Sequence, residues 1–473
     1  MKVLYVSSEA KPFIASGGLA DVAGSLPQAL RQRLIGCRVV LPLYEDIPYE
    51  MREKMEFLVS LSVPVAWRRQ YCGVFQAKHN NVVYYFIDNQ YYFKRGGLYG
   101  HYDDAERFAF FARAVIEMIP YIGFKPDIIH CNDWQSALTP VFYNLFYANR
   151  DGFQGIKTVF TIHNIQYQGR YGTELINDVI GIPADAAHIV RYDNDVNFMK
   201  GAIECADKIT TVSPSYAQEI LDPWYSHGLD RVLRDKSWKL EGILNGIDMD
   251  DNNPATDQNL AANYSADDLS GKARDKEELQ QIFNLEVNPN IPIIGMVTRL
   301  VSHKGLDLVK AVLGELLEYF NLQFVLLGSG DWQYEKFFGE MAGRYPNKFG
   351  LRIGFVPSLS KKIYAGTDIF LMPSKSEPCG LSQMIALRYG SIPIVRGTGG
   401  LKDTITDSGD DHGNGFVFWN YNAHEMKYSI ERALKGFENH DGWATLTKRA
   451  MMCDNSWGAS ANQYIRMYKS LLK

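Results

Sequence analysis

At 473 residues the chain is roughly three times a typical domain, so two or more domains are expected. Its 46% hydrophobic and 22% charged residues give an ordinary globular balance, and a net charge of -5 argues against nucleic acid or an anionic membrane as partner while leaving room for a local basic pocket. No run of about 18 apolar residues occurs, so no membrane span is expected.

Six cysteines (Cys37, Cys72, Cys131, Cys205, Cys379, Cys453) are scattered without a CxxC pair, which points to a reduced, cytoplasmic setting. The apolar run after Met1 is too short for a secretion signal. Aromatics reach 13%, a richness that suits stacking on sugar faces and equally suits a large core edged with tyrosine.

In chain order, "KVLYVS" (2–7) reads as a short buried strand. A glycine loop, "SGGLADV" (16–22), then opens a helix, and "CRVVLPLY" follows as a second strand. A hairpin-like insert covers about residues 63–88. Strands resume at "PDIIHCND", "KTVFTIHN" and "KITTVSP". Residues 248–290 are polar and turn-rich, which predicts a linker. Alternation restarts with "PIIGMVTRL", "FVLLGSG", "LRIGFVP", "DIFLMPS", "IPIVRG" and "NGFVFW". Short apolar strands between helical stretches predict parallel sheets covered on both faces, hence two doubly wound α/β halves. Such sheets bind ligands beyond the carboxyl ends of their strands, so the cleft between the halves is the expected site.

Several polar residues fall just after strands: Asp21, Asp133, His163, Asn245, Arg299, Lys304 and Glu377. Gly17 and Gly18 permit close backbone approach before a helix start, a pattern that serves packing as readily as anion binding. Arg299 and Lys304 in "TRLVSHKG" suit a diphosphate, or form an ordinary solvated pair. Neither a GxGxxG fingerprint nor a P-loop exists, and no cluster has metal-ligand spacing, so no metal or cofactor is expected. Glu377 in "SKSEPCGLSQ" has no nearby acid or base in the sequence. Pro378 suits a first helical position, which places Glu377 at a helix start, where it stabilises the dipole or grips hydroxyl groups.

Together, "SGGLADV", "HCNDWQSAL", "TIHNIQYQG", "TRLVSHKGLDL", "SKSEPCGLSQMIALRYGSIPIVRGTGGLKDT" and "GNGFVF" resemble, in order and along nearly the whole chain, bacterial glycogen synthase and plant starch synthase. The resemblance implies the two-Rossmann GT-B architecture, with an acceptor-side domain over 1–245, a nucleotide-sugar domain over 246–455 and a last helix, 456–473, crossing back to the first. It implies retaining, metal-free transfer of glucose from ADP-glucose to the 4-OH of an α-1,4-glucan, with self-association left open. By resemblance, Arg299 and Lys304 hold the donor diphosphate, Glu377 the glucose hydroxyls, and His163 lies near the glucose 6-OH. Asp133 then faces the acceptor and Asn245 the glucose. Ala15, Ser16, Gly17, Gly18, Asp21, Cys379, Gly380, Leu381, Thr398, Gly399 and Gly400 line the donor loops.

Two positions depart from the family pattern. Ala15-Ser16 stands where the family usually reads Lys-Thr, and Asn252 stands where it often has Trp. A UDP-glucose-dependent glucan synthase, another two-domain sugar-nucleotide transferase and a non-catalytic glucan-binding homologue remain as alternatives.

Overall fold

The computed structural model describes residues 1–409 and 412–473. It divides into two compact units, one of Met1–Gly246 with Trp457–Lys473, the other of Ile247–Ser456.

The first unit is built on a nine-stranded sheet. Its strands are β1 (Lys2–Val6), β2 (Gly36–Pro42), β3 (Glu56–Val65), β4 (Arg68–His79), β5 (Val82–Asp88), β6 (Ile128–Asn132) and β7 (Lys157–Ile162). A small separate sheet holds β8 (Arg170–Tyr171), β9 (Arg191–Tyr192) and β10 (Asp195–Asn197). β11 (Lys208–Thr211) and β12 (Leu240–Gly242) complete the large one, in the order β12-β11-β7-β6-β1-β2-β5-β4-β3. The expected hairpin insert is more than an interruption. β3 and β4 pair antiparallel, but β5 lies parallel to β2 and extends the main sheet. Val3, Leu4, Tyr5 and Val6 of β1 are wholly buried, as a central strand covered on both faces requires. The helix Trp457–Leu471 packs on the helix Gly18–Gln32, and its Tyr468 hydroxyl reaches His130 Nδ1 at 2.6 Å.

The second unit has one parallel six-stranded sheet: β13 (Ile293–Val297), β14 (Gln323–Gly328), β15 (Phe349–Ile353), β16 (Ile369–Met372), β17 (Ile392–Arg396) and β18 (Phe416–Phe418). Their order is β15-β14-β13-β16-β17-β18. The direction of winding reverses between β13 and β16, as it does between β1 and β6 in the first unit, and ligands of such sheets sit at that reversal.

The expected linker, 248–290, is part of the second unit. Tyr264 is buried and donates its hydroxyl to Tyr389 O at 2.7 Å, while the Tyr389 hydroxyl donates to Asp257 Oδ2 at 2.5 Å. The helix Ser270–Ile282 packs on Pro357–Gly366. Asn252 is buried too. Its Oδ1 accepts from Lys361 Nζ at 2.7 Å and its carbonyl from Arg388 Nε at 3.1 Å, so it joins two basic side chains of its own unit.

Candidate functional site

In the second unit the loops after β13, β16 and β17 carry Arg299–Lys304, Glu377 and Thr398–Gly400 side by side, because those three strands are neighbours. Gly305 adopts a φ of +75°, and a Cβ there would lie 2.0 Å from Pro373 O. Only glycine lets the 302–305 turn press this closely on the segment after β16. A backbone bond from Lys375 N to His303 O, 2.9 Å, fixes the two loops together. Lys304 Nζ then lies 2.7 Å from Glu377 Oε2, which also accepts the Ser374 hydroxyl at 2.9 Å.

Glu377 is therefore not a lone carboxylate. Its partner stands 73 residues earlier in the chain. It also does not begin a helix. Gly380, at φ +71°, breaks the chain direction after Pro378, and the helix runs over Ser382–Arg388. The backbone N–H groups of Gly380 and Leu381 find no protein acceptor among the described residues.

The glycines of "RGTGG" approach protein. A Cβ on Gly399 would lie 2.0 Å from Glu377 O, and one on Gly400 would lie 2.1 Å from Cys379 O. The Gly400 N–H is shared between the carbonyls of Glu377 and Pro378, each at 3.2 Å, so it is not available to a phosphate. Thr398 is buried and its carbonyl accepts Leu401 N. This turn shapes the Glu377–Cys379 backbone from behind.

Arg299 is exposed, with no ion pair among the described residues. His303, between the two cations, is pushed down to about 4, by burial first, then by the charge of Lys304, with Arg299 adding to it. The loop thus concentrates positive charge of which Glu377 offsets only the Lys304 part.

In the first unit, Asp133 and His163 end the adjacent strands β6 and β7. Asp133 Oδ1 accepts the backbone N–H of His163 at 2.7 Å and of Asn164 at 3.4 Å. Asp133 holds a φ of +54° with ψ 178°, a conformation that costs a non-glycine residue about 1–3 kcal/mol and recurs at functional positions. Burial pushes its carboxyl up to about 7. Burial also pushes the His163 imidazole down to about 3, so the ring is neutral at neutral pH.

Asn245, after β12, is buried and its Oδ1 has no partner among the described residues. A buried acceptor without a donor marks a place where a ligand group can complete the bonding. Residues 15–18 are exposed. A Cβ on Gly17 would meet nothing within 4 Å, so protein packing does not require glycine there. Asp21 is paired with Lys11 at 2.5 Å.

Glu9 carries no motif signal in the sequence, yet it organises this loop. It is buried, and its carboxylate takes the N–H of Ser16 and faces that of Gly17; burial raises its pKa against those bonds. No group of three or more His, Cys, Asp or Glu side chains among the described residues is placed to hold a metal.

Residues 2–235 match the starch synthase catalytic domain family, and residues 275–448 match the glycosyl transferases group 1 family. The chain is 50% identical over 476 residues to a glycogen synthase of Clostridium botulinum, covering 100% of this chain and 99% of that one. It is also 50% identical over 478 residues to a glycogen synthase of Geobacillus stearothermophilus, covering 100% and 98%. The chain belongs to the glycogen and starch synthase family. Among solved structures, the catalytic domain of starch synthase IV from Arabidopsis thaliana, bound to ADP and acarbose, superposes with a TM-score of 0.91 at 35% identity, covering 100% of this chain and 99% of that one. Sucrose-phosphate synthase from Thermosynechococcus elongatus, at 15% identity and a TM-score of 0.63, shares the fold, which is GT-B. No helix among the described residues is long and apolar enough to cross a membrane.

In this family member each unit carries its own half of the candidate set. Ala15–Gly18, Asp21, Asp133, His163 and Asn245 belong to the first; Arg299, Lys304, Glu377–Leu381 and Thr398–Gly400 belong to the second.

Proposed function

We propose that the chain is a glycogen synthase that transfers glucose from ADP-glucose to the non-reducing 4-OH of an α-1,4-glucan, in the cytoplasm, with retention of configuration. The observation that carries this reading is the Lys304–Glu377 contact beside the uncompensated Arg299, at the winding reversal of a parallel sheet. A family relative that holds ADP and acarbose supports the ligand classes.

A double displacement needs a carboxylate nucleophile with an acid–base partner at about 5–5.5 Å. Glu377 is instead tied to an ammonium group and a hydroxyl. The chemistry that suits these residues is departure of the diphosphate with attack on the same face. The C1–oxygen bond to the diphosphate breaks, the acceptor 4-oxygen bonds to C1, and its proton passes to the leaving phosphate oxygen. Arg299 and Lys304 stabilise the charge that develops on the leaving group, and Glu377 and Asn245 orient the sugar. Asp133 stands on the acceptor side.

The direct test is release of the nucleoside diphosphate on adding glycogen: ADP from ADP-glucose and UDP from UDP-glucose. Release from ADP-glucose with growth of the glucan is expected. Release from UDP-glucose alone would favour the other donor, and release from neither would leave a glucan-binding protein.

Two further outcomes follow from the charges. Enzyme treated with EDTA is expected to keep most of its rate, because two cations already face the diphosphate; a loss restored only by Mg²⁺ or Mn²⁺ would contradict this. Ala15→Lys is expected to lower the KM for ADP-glucose by up to about 10-fold, the lower end of what a charge-assisted bond contributes. Lys11, the nearest cation in the chain, is paired with Asp21. The gain should shrink as salt is raised, because position 15 is exposed. Unchanged kinetics would show the position to be energetically silent.

A further inference from the structure

The bonding around Asn132 decides how His163 can act. Asn132 ends β6 and is wholly buried. Its Nδ2 lies 2.9 Å from Val6 O and 3.4 Å from His130 O. Its Oδ1 lies 2.9 Å from the Tyr5 hydroxyl and 2.9 Å from His163 Nε2. Backbone carbonyls only accept, so the NH₂ group must face Val6 and His130. The reversed amide would set its oxygen against two carbonyl oxygens in a buried site, with each unmade bond costing about 1–3 kcal/mol. Oδ1 therefore faces the other pair, and it can only accept. His163 must present a proton at Nε2.

We infer that Asn132 is a positioning residue that holds His163 as the Nε2–H tautomer, so that the ring meets the transferred sugar through an unprotonated Nδ1, as acceptor of a sugar hydroxyl. This rests on the reading that His163 lies beside the donor glucose. A neutral imidazole has one N–H, and here it is spent on Asn132. Burial keeps the ring neutral, and the charged or titratable groups nearest it do not oppose this. His130 is itself pushed down to about 3 by burial, and Tyr5 is raised far above its ordinary value. Asp133 meets the His163 backbone N–H. Nδ1 has no partner among the described residues, and His163 is partly exposed.

The anchor is itself held on several sides. Asn132 pairs in register with Thr161 of β7, two residues before His163. His130 bonds the Tyr468 hydroxyl and Thr161 Oγ1, each at 2.6 Å, and Thr161 Oγ1 lies 2.5 Å from Thr210 Oγ1. The ring orientation thus follows from a buried network rather than from a flexible loop.

The test is ¹⁵N NMR of the full chain labelled at histidine, with His163 assigned by its loss in His163→Ala. From pH 6 to 8 the expected spectrum shows a protonated Nε2 and an unprotonated Nδ1. Asn132→Leu should give mixed tautomers and lower kcat about 10-fold or more. The double variant with His163→Ala should transfer no more slowly than His163→Ala alone, since a residue that acts through another adds nothing once that other is gone. Tyr5→Phe should keep the tautomer. A wild-type proton on Nδ1, or losses that multiply in the double variant, would overturn the inference. If Asn132→Leu does not fold, the wild-type and Tyr5→Phe spectra still decide. His163→Ala with wild-type transfer would instead sink the site reading, and with it the ring's role toward the sugar, whatever the tautomer.

Discussion

Glu377→Ala is expected to lower kcat/KM for glucose transfer by about 10²–10⁴-fold if, as proposed, the carboxylate makes two charge-assisted hydrogen bonds to sugar hydroxyls at roughly 1.5–3 kcal/mol each. The carboxylate is buried, while its ion-pair partner Lys304 keeps 19% of its side chain in solvent. Lys304 can therefore reach water when Glu377 is removed, and the fold should persist. This predicts a split that a structural role would not produce. ADP should bind the variant as tightly as the wild type, or a few-fold more tightly, because on the proposed reading the freed ammonium group would face the diphosphate unopposed. Titration calorimetry with ADP, beside steady-state transfer, measures both halves. Wild-type transfer in a folded variant would remove Glu377 from the sugar, and loss of ADP binding would mean that it only shapes the loop. Glu377→Gln keeps an acceptor for Lys304 but no charge, and should fall between wild type and alanine.

This contact also marks how far the sequence could be read. Strand alternation is local, so the parallel sheets and the clusters of polar residues at their carboxyl ends were legible from "KVLYVS" through "NGFVFW". The Lys304–Glu377 pair was not, because it depends on Gly305 packing against Pro373, a contact between two loops far apart in the chain. Pro378 read as a helix start because proline suits the first turn, but the positive φ of Gly380 delays the helix to Ser382. Residues 248–290 read as a linker because their polar groups look solvated. Several are buried against their own backbone, as with Asp257 to Asn259 N and Asp275 to Ala261 N, each at 2.9 Å. Glu9 was invisible for a related reason: a buried carboxylate that bonds backbone N–H groups needs no partner side chain, and so leaves no spacing to detect.

Arg299→Ala is expected to lower kcat by about 10²–10³-fold, the usual cost of removing one preorganised group that stabilises charge developing in the transition state. Arg299 and Lys304 stand five residues apart on one loop, but their surroundings differ. Lys304 divides its charge between Glu377 and any ligand, whereas Arg299 is exposed and has no carboxylate partner among the described residues. Its full charge is available to a diphosphate, and its planar fork can hold two phosphate oxygens at once. The loss should fall mainly on kcat, because charge on the leaving oxygen grows as the C1–oxygen bond breaks, and a group that meets that charge is worth more in the transition state than in the bound donor. Arg299→Lys should recover part of the rate, through charge without the fork. Lys304→Ala should lose at least as much as Arg299→Ala, since it also strips Glu377 of the bond that aims it. Steady-state kinetics of the three variants decide the matter. A kcat for Arg299→Ala within threefold of wild type would place the leaving-group charge elsewhere, and if ADP affinity falls while kcat does not, Arg299 is a binding group for the nucleotide alone.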